Sequence, residues 1–165
     1  MKRILRATKD CYITNRVIRN KFRATDANTG LAGTLDLFKL AAESNFDDDG
    51  PYVSGTTDPI ELSRVLIKFD LSPIQSLTSS ILNVNHPSFS CIMRMNDVLG
   101  GQPLPANYTL VLYPLSRSFD EGIGRDVAAF EDIDAANFVT ASVTDSVADI
   151  WAASVSTRAG NCSQC

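Results

Sequence analysis

The stretch SRVLIKFDLSPIQSL, Ser63 to Leu77, decides the fold class. Val65, Ile67, Phe69 and Leu71 share one parity; Arg64, Leu66, Lys68 and Asp70 share the other. A strand sends successive side chains to opposite faces, so this alternation predicts a strand with one buried face and one partly wetted face. The run stops at Ser72-Pro73, because proline has no N–H to give a ladder and restricts the residue before it. Asp70 stands at the strand end, where its carboxylate can accept backbone N–H groups of the next turn, and Lys68 is expected on the outer face. The pattern is that of a half-exposed antiparallel sheet.

Similar runs recur on either side. Residues 10–18 are β-branched and aromatic, and residues 34–40 alternate as a short strand. Residues 78–85, 88–95, 108–115 and 138–143 read as further strands, and 146–153, around Trp151, as a short helix or strand. A loop rich in Asp, Gly and Ser fills 41–59, another loop fills 96–107, and an irregular excursion with glycines at 122 and 124 fills 118–138. Short strands separated by turn residues predict an all-β fold, an antiparallel β-sandwich or jelly roll. We read residues 1–165 as a single jelly-roll-like domain, with a basic segment at 1–9 and a flexible tail at 154–165. A jelly roll needs about eight strands, and only six or seven can be counted by residue 143. The sandwich is therefore shortened, or the chain is a partial product, or a neighbouring chain supplies the last strand.

Composition is that of a globular protein, 44% hydrophobic and 21% charged. No apolar run approaches the roughly 18 residues of a membrane span, and no membrane partner is expected. The basic N-terminus is not followed by an apolar region of about 7–15 residues, so no secretory signal is expected. Charge is uneven: residues 1–39 hold nine Lys/Arg against three Asp (+6), and residues 40–165 hold six basic against sixteen acidic side chains (−10). Such a split can mark a nucleic-acid arm, but no recognised module accompanies it, and nucleic acid is not the expected partner. Arg16, Arg19, Lys21 and Arg23, interleaved with Val17, Ile18 and Phe22, read instead as a basic interaction surface that docks on acidic groups.

Three sets of residues and motifs carry a resemblance. The opening Ala7-Thr-Lys-Asp-Cys-Tyr-Ile13, the strand Gly33-Thr-Leu-Asp-Leu-Phe38 and the strand Arg64–Ser72 with Ser79–Val84 behind it form the first block. Together they resemble the DNRLRE-type jelly-roll domains, which are similar to carbohydrate-binding modules and occur in secreted bacterial proteins and tailed-phage virion proteins. Tyr108–Leu115, Ser118–Val127 and Asp132–Phe138 resemble the phage version, in which a Phe-x-Glu-Gly-x-Gly-x-Asp loop follows an apolar strand. The resemblance implies a non-enzymatic virion structural protein of a tailed phage. It would bind other virion proteins, as capsid cement or decoration or as a tail, neck or fibre component, and form a homo-oligomer located in the virion. The alternative it implies is a carbohydrate-binding module that attaches to host or environmental glycans.

The chemistry-bearing residues fit that picture. There is no Gly-x-Ser-x-Gly, no His-Glu-x-x-His and no phosphate-cradling glycine loop, and the one histidine, His86, precedes Pro87 at a strand end. No enzyme activity, catalytic residue or obligatory cofactor is expected. Calcium is the one cation considered, with Asp47, Asp48, Asp49 and Asp58 as its candidate ligands, since hard cations take several loop oxygens. Tyr52 is the candidate glycan-stacking ring, while Tyr113 and Trp151 are expected in the core. Cys11 and Cys91, in strand-like runs, are expected to be small buried hydrophobes. Cys162 and Cys165 have the spacing of a redox pair or half a zinc site but end the chain without a helix or further ligands, and no such role is assigned to them.

Overall fold

The computed structural model describes residues 2–19, 22–41, 59–78, 81–96, 98 and 109–151. Within these the protein is all-β, its strands paired in antiparallel sheets, with one short helix. Strand β1 (Ala7–Thr14) is followed by the hairpin β2 (Val17–Ile18) and β3 (Phe22–Arg23). Next come β4 (Lys39–Ala41), β5 (Pro59–Phe69), the helix α1 (Ser72–Thr78) and the hairpin β6 (Thr140–Thr144) and β7 (Val147–Ile150). The central sheet has the order β1-β5-β4. Thr8 bonds to the Lys68 carbonyl and Thr14 to the Leu62 carbonyl, so β1 and β5 run in opposite directions.

By chain contacts the protein divides into two compact units, Met1–Thr8 with Lys68–Leu112 and Lys9–Ile67 with Tyr113–Cys165. The second holds two apolar clusters. Cys11, Ile13, Leu66, Phe119, Ala136, Ala141 and Trp151 form one, and Tyr12, Ala24, Ala27 and Val127 form the other, with Val65 packed at its side. Neighbouring residues of β1 and of β5 thus enter different clusters, and the sheet is covered on both faces. This corrects the one-sided reading of the opening stretch. The most buried member of 64–71 is Leu66, which shares its parity with the charged residues. Arg64 lies half-buried with its guanidinium 5.1 Å from the centre of the Phe138 ring, and Lys68 and Asp70 are exposed.

Local chemistry sets the ends of elements. The β5 run ends as expected, but Ser72-Pro73 opens α1 instead of a turn into another strand. The missing proline N–H costs nothing in a first helical turn, where such groups have no intrahelical partner. Asp70 accepts the Ser72 N–H at 3.0 Å, as its position predicted, and the Ser72 side chain first, then this N–H, hold its carboxyl below the usual value. The β6–β7 hairpin closes through Asp145 and Ser146, both at positive φ (50° and 65°), the twist that two-residue hairpins favour. A bulge beside Ala141 leaves its carbonyl to accept the Asp120 N–H at 2.9 Å, which ties this hairpin to the loop before Glu121.

Four expected strands differ. Of 34–40 only Lys39 and Leu40 enter a ladder. Among the described residues of 78–85, 88–95 and 108–115 there is no strand. Around 81–89 the backbone is taken by local bonds: Ile81 and Leu82 N–H to the Leu77 carbonyl, Asn85 N–H to the Asn83 side chain, and Ser88 N–H to His86. Such short-range bonds compete with sheet formation. Outside a ladder, Cys91 is exposed, whereas Cys11 is buried as expected.

Candidate functional site

The Phe119–Asp126 loop is built around Asn28, a side chain wholly withdrawn from solvent. Its Nδ2 donates to the carbonyls of Glu121 and Ala136, both at 2.8 Å. Its Oδ1 accepts the N–H groups of Gly30 at 3.1 Å and Gly124 at 2.8 Å. An asparagine has two donors and two acceptor lone pairs, and all are used. The two loop glycines follow from this. Gly122 has φ 74°, and a Cβ there would meet the Asn28 amide carbon at 2.6 Å; a Cβ on Gly124 would collide with the Asn28 carbonyl. Asn137 works in the same way, donating to the carbonyls of Ile133 and Ala135 and accepting the N–H groups of Val139 and Thr140. The Trp151 indole N–H donates to the Asn137 carbonyl at 2.8 Å, so this ring is a core anchor, as expected.

The outer edge of β1 is closed by side chains. The Asp10 N–H donates to Glu121 Oε1 at 2.6 Å. Thr29 Oγ1 accepts the Tyr12 N–H at 3.1 Å and donates to the Tyr12 carbonyl. A neighbour's strand cannot pair at these positions without displacing them. Neither Asn28 nor Thr29 stands out in the sequence, where both lie in a polar stretch. The only signal is the glycine pair 122 and 124, which announces a close approach without naming what approaches.

Arg16, Arg19 and Arg23 sit on or beside the β2–β3 hairpin, and all three are exposed. Its register, Val17 opposite Arg23 and Ile18 opposite Phe22, places Arg19 at the start of the tip, with φ 52°. Phe22 is 57% exposed, so the surface joins cations to an open aromatic ring. Arg16 and the acids Asp36 and Asp126 lie near the Tyr12 phenol, whose pKa is pushed up to about 12, by burial first and then by Asp36. Lys21, Tyr52, Asp47, Asp48, Asp49, Asp58, Cys162 and Cys165 lie outside the described residues. Among the described residues no group of three His, Cys, Asp or Glu side chains is placed to hold a metal ion.

Tyr113 corrects its expected core position: it is 49% exposed. It belongs to a run, 109–115, that has the alternation of a strand without a ladder partner among the described residues, so no neighbour covers it. No helix among the described residues is long and apolar enough to cross a membrane. Comparison with family models, curated proteins and solved structures finds no match.

Proposed function

We propose that the chain is a non-enzymatic structural protein of a tailed-phage virion, where it binds neighbouring virion proteins as capsid cement or decoration, or as a tail, neck or fibre component. The observation that carries this reading is the unit Met1–Thr8 with Lys68–Leu112, in which no described residue is buried. Ile4 (79% exposed), Ile81 (76%), Ile92 (76%) and Leu112 (70%) stand open there. Apolar side chains left in water in such numbers mark a surface that a partner covers. The virion setting rests on the resemblance of Phe119–Asp126 to the phage form of the jelly roll. Quantitative mass spectrometry of purified, salt-washed particles tests it. Hundreds of copies per particle would place the protein on the shell; a low multiple of three, five, six or twelve would place it in a fibre, vertex, neck or tail. Absence from particles would sink the reading.

A second reading, a module that binds glycans, is favoured by Tyr113, whose exposed ring could lie on a sugar face. Glycan-array binding that is lost in Tyr113→Ala, together with absence from particles, would put it first.

A further inference from the structure

We infer that the β2–β3 hairpin is half of a two-fold dimer contact, whose other half is the acidic turn 130–134 of a second copy of this chain. Ile18 of the hairpin and Phe130 of the turn pack against the same cluster of Tyr12, Ala24, Ala27 and Val127, so the two surfaces flank one part of one unit. The hairpin presents Arg16 and Arg19 around Phe22, which is 57% exposed. The turn presents Glu131 and Asp134 around Ile133, which is 53% exposed. Each surface is therefore an open apolar side chain flanked by charges, and the two signs are opposite.

The turn is held in shape from within: Asp132 accepts the Ile123 N–H at 2.6 Å, and Phe130 and Asp132 have φ of 51° and 54°. Its outward charges, Glu131 and Asp134, are exposed. The ion pairs among the described residues, Lys9 with Asp120 and Arg117 with Asp149, use none of Arg16, Arg19, Glu131 or Asp134. In such a dimer a two-fold axis that sets one hairpin on the partner's turn makes a second, equal contact by symmetry, and the assembly closes on itself. A free polyanion would use the hairpin alone and leave the turn without a role. Complementary charge of this kind governs encounter and register and weakens with salt.

Sedimentation velocity on the full chain tests the contact. Wild type should be a dimer at low salt and dissociate as salt rises. The double variants Arg16→Glu/Arg19→Glu and Glu131→Lys/Asp134→Lys should each be monomeric alone, with unchanged thermal melts, since all four residues are exposed. Mixed in equal amounts they should dimerise again, one of each by native mass spectrometry, because the swap restores opposite signs at both contacts. A monomeric wild type at low salt, or variants that do not dimerise on mixing, would overturn the proposal. So would a wild type whose hairpin variant loses only affinity for a double-stranded DNA probe.

Discussion

The unit of residues 9–67 with 113–151 and the unit around 68–112 put similar apolar side chains to opposite ends. In the first, Cys11, Ile13, Leu66, Phe119 and Trp151 share one buried cluster. In the second, Ile81, Ile92, Val98 and Val111 are each more than 60% exposed. Polar side chains make the difference. The first unit has Asn28, Thr29 and Asn137 inside it: the two asparagines spend their amides on backbone groups of the 119–140 region, and Thr29 spends its hydroxyl on the outer edge of β1. Loops without a ladder can be buried only if their N–H and C=O groups find such partners. In the second unit the polar side chains of Asn83 and His86 bond to their own neighbours at the surface, and none of its described residues is buried. Apolar content alone does not make a core; the satisfied backbone does.

The largest expected effect breaks that contrast at its source. Asn28→Ala would leave four backbone groups, three of them buried and one partly so, without their partner. At about 1–3 kcal/mol for each group not rescued by water, the loss should exceed ~3 kcal/mol and be visible as a large drop in the urea midpoint. An unchanged midpoint would mean that the clasp is not what holds the 119–137 loop.

An intermediate effect comes from pH. The Cys11 thiol is pushed up to about 12 from 9.0, by burial and then by the charges of Glu121 and Asp10. The Tyr12 phenol is pushed up to about 12 from 10.0. Both release their protons more readily when unfolded, so their contribution is whole below pH 9.0 and is lost as pH rises toward 12. Urea midpoints should fall through this window, and Tyr12→Phe should make the fall shallower. A flat profile would argue that β1 is not buried on both faces.

The smallest effect is expected in the other unit. Ile92→Ser, at a side chain 76% exposed, should change the stability of the isolated chain by no more than about 0.5 kcal/mol. On the proposed virion reading, the same variant should lower incorporation into particles, read by quantitative mass spectrometry. A loss of several kcal/mol in the isolated chain would show instead that Ile92 lies in a core.

The sequence made legible what depends on local pattern. Alternation located the strand at 63–69, the β-branched run 10–18 covered the end of β1 and, past a break at Asn15 and Arg16, the separate strand β2, and the strand-end carboxylate of Asp70 was placed with its bond. Parity could rank the two faces of β5 only on the assumption that one is wet. With both covered, Leu66 proved the deepest residue, and Arg64 found the Phe138 ring. Alternation in 88–95 and 108–115 specified faces but not a ladder neighbour, so Cys91 and Tyr113 were misplaced. Asn28 was invisible because its partners lie about a hundred residues away, beyond any periodicity. Of the candidate interaction residues, Arg16, Arg19 and Arg23 are exposed, whereas no pattern in the sequence singled out Glu131 or Asp134.

Hydrogen–deuterium exchange on the isolated chain tests the central contrast most directly. Amides in 9–15 and 135–142 should be strongly protected, because they lie in or beside the two clusters and the asparagine clasps. Those in 81–96 and 109–112 should exchange rapidly. Equal protection of both sets in the isolated chain would contradict the account, because it would mean that the 68–112 unit completes a core of its own.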